Sequence, residues 1–531
     1  MIDEAFGGKD MGAYGGRRPA AKLGLWWGYL PLVLVSSLVV AMVVFVPSEV
    51  PDGGTTADGG PTVNSDGQTA SGWNESVTRC ADREKQVEGD GYAPPCYEFA
   101  AGADNGGATA PGVTADTITV TYRMTPDNNL LKILADFLQV PFDEPPERMV
   151  ETAEGLVDYF NQNFQFYGRR IEMKRVEGSG SFVAEFTGGG QEQAGADAIK
   201  AQEAGAFADV TGLTQPYAEA LQRQKIVNIG APYMSREWFT DKRPYAWSTF
   251  PDCSVASEIA SEVGVKSVIG RPADFAGGDL AGRTRTLGII VPDNLEYQQC
   301  RDTAVEYIES GGLKVEFKAN YVLDLARIAT QADSIISQLK DKGITSVACG
   351  CDPLMIAALT RKAQEVGYSP EWLIIGVGFA DLDLVGQMIS KQAPEQWARA
   401  FGGSPWGAQQ PMGDSAGSRA FKSVRPDEEP SMLADILYYQ LYELVIGLQM
   451  AGPDLTPKNF ETGMFAYPEG TGPAGTWDFS LEHYTGIVDA RMIWWDPDAI
   501  SPFNGLPGAY LDTGQRYRQG ELPEGEMEVF K

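Results

Sequence analysis

Gly413-Asp414-Ser415-Ala416-Gly417 matches the G-x-S-x-G arrangement in which a sharp strand-to-helix turn exposes a nucleophilic serine. His483 follows it in the chain order that α/β-hydrolases use, and the chemistry of such a pair would be acyl transfer. That geometry needs a strand directly before the serine. Residues 401–412, FGGSPWGAQQPM, have no strand pattern, so the stretch reads as a loop. His483 is the single histidine of the chain, which excludes a multi-histidine metal centre and most imidazole chemistry. Gly178-Ser179-Gly180 and Gly188-Gly189-Gly190 could cradle phosphate, but no Lys-Ser or Lys-Thr follows either run, and both read as turns. Six cysteines complete the inventory. In an exported chain an even number reads as disulfides, with Cys80–Cys96 the first choice. Cys349-Gly350-Cys351 reads as two small core residues after a strand, and the pairing of Cys253, Cys300, Cys349 and Cys351 stays open. No catalytic residue, metal ligand or cofactor is assigned.

The elements that must position any site are set by a chain of 531 residues, long enough for two packed lobes and an appendage. A 43% hydrophobic composition supplies a core and excludes disorder as a description of the whole. Asp and Glu number 72 against 42 Lys and Arg, and the net charge of −30 excludes a nucleic-acid partner in the absence of a basic stripe. Residues 25–46, LWWGYLPLVLVSSLVVAMVVFV, carry no charge and can cross a bilayer core of about 30 Å as a helix. Arg17, Arg18 and Lys22 precede this run while Glu49, Asp52 and Asp58 follow it. Residues 1–24 are therefore expected in the cytoplasm, 25–46 as an uncleaved transmembrane anchor, and the remainder outside the cell membrane. Residues 47–113 read as an extracytoplasmic tether, polar and Gly-rich up to residue 72 and carrying the Cys80–Cys96 disulfide.

From residue 114 to 531 short β-branched runs alternate with helical patterns: 118–122, 171–176, 207–211, 226–229, 287–291, 346–349 and 373–376. That alternation predicts an α/β fold with parallel sheets flanked by helices. Ile328, Ala332, Ile335, Ile336 and Leu339 form the stripe of an amphipathic helix that Gly343 ends, and residues 431–450 are apolar on all sides, as in a helix buried between layers. Residues 265–286 and 390–430 are Gly- and Pro-rich and read as irregular loops near a cleft.

Val157-Asp158-Tyr159-Phe160-Asn161 followed by Tyr167-Gly168-Arg169-Arg170-Ile171-Glu172 resembles a passage of the type 1 periplasmic solute-binding proteins, the branched-chain amino acid and amide family of ABC transporters. Tyr245-Ala246-Trp247-Ser248-Thr249, Gly288-Ile289-Ile290-Val291 with Asn294-Leu295-Glu296-Tyr297, and the runs 324–343, 347–350, 357–367 and 372–376 extend the resemblance in order over roughly 114–495. It implies two hinged lobes, lobe I at about 114–255 plus C-terminal returns and lobe II at about 286–385. It also implies a membrane-tethered receptor that hands a carboxylate, amide or amino-acid-like solute to ABC permease subunits. A ligand-sensing or cell-envelope interaction module on the same fold is the alternative, and a serine hydrolase using Ser415 the third. By this resemblance Thr214 offers a hydroxyl and a backbone amide to the solute, Gly230, Ala231 and Tyr233 donate beside it, and Tyr297 closes over it. Asp352, Gly378 and Phe379 complete the expected site. Gly378 departs from the family, whose amino-acid binders carry there a glutamate that pairs with the ligand ammonium.

Overall fold

The computed structural model describes residues 73–125, 127, 132 and 144–530. The expected cytoplasmic segment, the span at 25–46 and the polar run up to 72 lie outside the described residues. Among the described residues no helix is long and apolar enough to cross a membrane. The tether reading fails for residues 73–113, which pack as part of the folded unit. Strands β1 (Val77–Arg79) and β2 (Tyr97–Phe99) pair antiparallel, and Cys80–Cys96 closes the segment between them. Tyr92 stacks on Trp477 at 4.4 Å and donates to the Gly475 carbonyl at 2.6 Å, while Arg169 donates to the carbonyl of Asn105. Aromatic residues dispersed among the polar ones supply the surface that a free tether would not bury. The disulfide spans a sequence separation of 16, a closure worth about 3 kcal/mol. The double variant Cys80→Ser/Cys96→Ser is expected to melt several degrees lower, with limited proteolysis cutting first between residues 73 and 113. Equal protease resistance would show that packing alone holds this segment.

Lobe I is built on β3 (Thr117–Met124), β4 (Arg170–Glu177), β5 (Ala208–Asp209), β6 (Val227–Ile229) and β7 (Ala246–Trp247), all parallel in the order β4-β3-β5-β6-β7. Both faces of β3 are buried because helices cover the sheet on both sides. One of them is the return helix Ala434–Met450, in which every residue except Asp435 and Ile436 is buried. Lobe II contains β8 (Leu287–Pro292), β9 (Val315–Tyr321), β10 (Ser346–Cys349), β11 (Glu371–Ile374) and β12 (Ala400–Ser404), also parallel. After the small pair β13 (Gly470–Gly472) and β14 (Gly475–Trp477), β15 (Asp489–Ile500) and β16 (Pro507–Arg518) add an antiparallel edge to lobe II, giving the order β16-β15-β12-β11-β10-β8-β9.

Two readings need correction. Residues 390–430 are not an irregular loop: they contain β12, in the interior of the sheet, and the helix Ala416–Val424. Of the two glycines that hid β12, Gly402 is required by its packing, since a Cβ there would lie 2.0 Å from the Ile374 carbonyl oxygen. Cys349 and Cys351 are not free core residues but a disulfide, and Cys253 pairs with Cys300.

Between the lobes the chain runs through Asp252, whose carboxylate caps the helix Cys253–Val263 by accepting from Val255 N at 2.8 Å. Burial pushes Asp252 up to about 6, against the opposing pull of that amide and of Arg236. A folded-state value above the unfolded one near 3.9 gives stability that is complete in acid and lost as pH rises through 6. Asn can make the same cap without the charge. Asp252→Asn should therefore gain on the parent by roughly 1.4 kcal/mol between pH 5 and pH 8 in denaturant titrations. A constant difference across that range would refute the assignment.

Candidate ligand-binding cleft

The carboxyl ends of the parallel strands of both lobes face each other across a cleft of about 400 Å³. This is where helix N-termini and unpaired loop amides converge in α/β sheets. Lobe I contributes the segments after β4, β5 and β6, and lobe II those after β8, β9, β10 and β11. Of the expected residues, Thr214, Tyr233, Tyr297, Asp352, Gly378 and Phe379 line it. Gly230 and Ala231 do not. Their amides continue the lobe I framework, Gly230 N donating to the Trp247 carbonyl at 2.9 Å and Ala231 N to the Gly212 carbonyl at 2.7 Å, so neither can donate to a solute.

Thr214 also behaves differently from expectation. Its hydroxyl donates to Glu185 Oε2 at 2.6 Å, and so its proton is unavailable to a ligand carboxylate. Glu185, which the sequence did not single out, lies on the short helix Phe182–Phe186 and is held by the Arg123 guanidinium at 2.5 and 2.9 Å. Arg123 also binds Asp197 at 2.9 Å and stacks on the Tyr217 ring at 4.1 Å. This network fixes the N-terminus of the helix Gln215–Arg223, where the amides of Thr214 and Gln215 bond to no other described residue. Those two amides, rather than the hydroxyl, are left without a described partner at this end of lobe I.

Asp352 caps the helix Pro353–Glu365, accepting from Leu354 N at 2.9 Å and Met355 N at 3.1 Å, with the Tyr321 hydroxyl on its other oxygen at 2.5 Å. Burial pushes its pKa up, opposed by these hydrogen bonds. Tyr297 is half-buried, and among the described residues its hydroxyl makes no hydrogen bond. Tyr233 and Phe379, one from each lobe, both sit in left-handed backbone, with φ of 63° and 58°, and their rings meet edge to face at 5.7 Å. Strain of this kind persists only where packing enforces it. Across the cleft Asn294 donates to Gln215 at 3.1 Å and the Ser235 hydroxyl bonds the Glu296 carboxylate, so the two lobes touch in this structure. Gln215 and Asn294 were legible only as neighbours of expected residues, and Glu185 had no signal because it follows a turn between glycine runs.

Ser415 is the N-cap of the helix Ala416–Val424, accepting from Ser418 N at 3.2 Å and donating to Ser418 Oγ at 3.1 Å. No described imidazole bonds it, and His483 lies in a turn closed with Ser480. The arrangement is that of a helix start and not of an activated nucleophile.

A model of the family described as periplasmic binding protein matches residues 141–499. No curated protein sequence matches the chain. Among solved structures, a fatty acid ABC transporter substrate-binding protein from Thermomonospora curvata aligns at 14% identity and a TM-score of 0.52, covering 77% of this chain and 94% of its own. A solute-binding protein of an ABC transporter from Rhodopseudomonas palustris HaA2, in complex with p-hydroxybenzoic acid, aligns at 12% identity and 0.51, covering 76% and 98%. The leucine-, isoleucine-, valine-, threonine- and alanine-binding protein from Brucella ovis, in a closed conformation, aligns at 12% and 0.51, covering 77% and 97%. At such identities the likeness is one of fold. With the family model spanning most of the α/β unit and two parallel sheets opposed across a cleft, the chain belongs to the periplasmic binding protein family.

Proposed function

We propose that the chain is an extracytoplasmic solute receptor, anchored through residues 25–46 with its N-terminus in the cytoplasm, that captures a small organic solute and delivers it to the permease of an ABC-type importer. The observation that carries this reading is the cleft, because it joins two lobes at the strand ends where α/β proteins hold ligands and retains room for a small molecule. The proteins it resembles in fold are described with fatty acid, with p-hydroxybenzoic acid, and with leucine, isoleucine, valine, threonine and alanine, so the fold alone does not choose among ligands. The lining does favour some. Among its described residues there is no Lys or Arg, and the carboxylates Glu185, Glu219, Asp293 and Asp352 stand in it, so a ligand carboxylate would rely on backbone amides alone. Tyr233, Tyr297, Phe379 and Leu323 present aromatic and apolar surface. We assign the site a carboxylate or amide without an α-ammonium, its oxygen held by the amides of Thr214 and Gln215 and its body against Tyr233, Tyr297 and Phe379. Gly378, Asp352 and Thr214 shape the site through backbone and caps.

The test is mass spectrometry of small molecules released by denaturing purified residues 73–531, followed by calorimetry with whatever is retained. Recovery of one solute class that stabilises the protein supports the reading. Absence of any retained molecule, with no thermal stabilisation by a broad panel of acids, amides and amino acids, would defeat it. Alkaline-resistant membrane association of the full chain, lost on removal of residues 1–72, is the expected result for the anchor.

A further inference from the structure

Behind Tyr297 lies a second space that the solute reading does not use. It is a largely apolar recess of about 80 Å³ lined by the lobe II sheet and by the helices Cys253–Val263 and Leu295–Ser310. Three of its lining residues, Tyr297, Gly350 and Val377, also line the cleft, so the two spaces share a wall. The opposite walls are Ile289 and Leu373 from the sheet and Ala260 and Ala304 from the two helices. The Cys253–Cys300 disulfide ties those helices together at its near end. Of its three polar side chains besides Tyr297, Ser261 Oγ donates to the Ser257 carbonyl at 2.5 Å and Arg301 is bonded to Asp302 and Asn320, leaving the Ser257 hydroxyl as the one group among them without a described partner in an otherwise apolar lining.

Close-packed interiors seldom keep such a space without a use. Alanines stand where larger apolar residues would fill it, and glycine stands at the shared wall. A Cβ at Gly350 would press on Ile375 at 3.2 Å and Val291 at 3.3 Å, so any side chain there would crowd the junction. Tyr297, on the first turn of its helix with a hydroxyl free of partners among the described residues, stands between the polar cleft and the apolar recess.

We infer that this recess is a subsite of the cleft that receives a short unbranched alkyl tail of the solute, admitted past Tyr297. The inference rests on the solute-binding reading and deepens it. The volume is well below the roughly 150 Å³ of an apolar cavity that accepts benzene, so the occupant is a chain of about three or four carbons and not a ring. Each buried methylene raises affinity about fourfold, and three raise it about fifty-fold.

The test is calorimetry with straight-chain carboxamides and, separately, carboxylates from three to eight carbons. They are measured on residues 73–531 and on the recess-filling variants Ala260→Phe and Ala304→Phe, each first checked for folding by circular dichroism. The expected result is an affinity that climbs by about fifty-fold over three added methylenes and then levels off, with the climb abolished in both variants. An affinity independent of chain length, or a climb that survives both substitutions, overturns the inference. So does failure of every member of both series to bind while another solute is retained by the cleft, an outcome that leaves the solute-binding reading standing.

Discussion

Replacing Arg123 by methionine is expected to be the most damaging single change outside the hydrophobic core. Arg123 stands on β3 with a side chain 5% exposed, and its partners Glu185 and Asp197 are fully enclosed. Removing the guanidinium leaves Glu185 with the Thr214 hydroxyl as its remaining hydrogen-bond donor, and it removes the cation stacked on Tyr217. Breaking a buried pair from one side costs about 3–5 kcal/mol, because the orphaned charge stays buried. Domains of this kind have about 5–15 kcal/mol in total. Arg123→Met should therefore lower the melting temperature by roughly 5 °C, at about 1–2 °C per kcal/mol for a unit of this size. It should also weaken solute binding beyond the loss of stability, since the freed Glu185 sits beside the amides of Thr214 and Gln215. Arg123→Lys keeps the charge but not the planar fork, and an intermediate melting point is expected. A methionine variant melting within two or three degrees of the parent would show that water already screens these carboxylates.

The parts of this arrangement that could be read from sequence are those where a local pattern and the fold demand the same residue. The runs at 118–122 and 287–291 are β-branched because both faces of a parallel sheet are covered there, whereas 171–176 belongs to a partly exposed edge strand, and each run lies inside an observed strand. Gly343 ends its helix in left-handed backbone, as its position after the apolar stripe suggested. β12 escaped detection because Gly402 serves close backbone approach, a demand made by β11 and invisible from within residues 400–404. The same distinction divides the site. Loops at strand ends were identifiable because topology alone places them there, whereas the spending of individual protons was not. Nothing local says that the Gly230 and Ala231 amides go to Trp247 and Gly212, or that the Thr214 hydroxyl faces Glu185 across 29 residues of sequence. The disulfide Cys349–Cys351 likewise depends on a backbone turn that two cysteines and a glycine do not specify.

Leucine, isoleucine and valine are expected to bind at least about a hundredfold more weakly than the best carboxylate or amide, and restoring a glutamate at position 378 should not rescue them. An ammonium enclosed between the lobes needs an anion that is free to face it. Most carboxylates near the cleft are committed. Within the lining only Glu219 and the rim residue Asp293 keep an oxygen without a described partner, and the other Glu219 oxygen lies 3.9 Å from Lys242. The unpartnered Asp381 Oδ1 is buried outside the lining. Glu185 is held by Arg123, and Glu219 accepts from Gln215 and Trp238, both at 3.1 Å. Asp352 caps its helix, Asp381 accepts from Ser404 at 2.7 Å, and Asp383 is bonded to Ser501 and Tyr510. Asp293 is exposed at the rim and accepts from Gln298. Position 378 cannot supply the missing group, because its φ is +69° and a Cβ there would lie 2.3 Å from the Cys351 carbonyl oxygen. A left-handed conformation costs a non-glycine residue about 1–2 kcal/mol before that clash is counted. Gly378→Glu should consequently melt several degrees lower and distort the Cys349–Cys351 loop that forms the neighbouring wall, while showing no heat of leucine binding. Calorimetry of the parent and of Gly378→Glu with the three amino acids, against aliphatic and aromatic acids and their amides, decides the matter. Micromolar binding of leucine by the parent, or by a Gly378→Glu variant of undiminished stability, would mean that the loop after β11 adopts another backbone and that the cleft can present an anion after all.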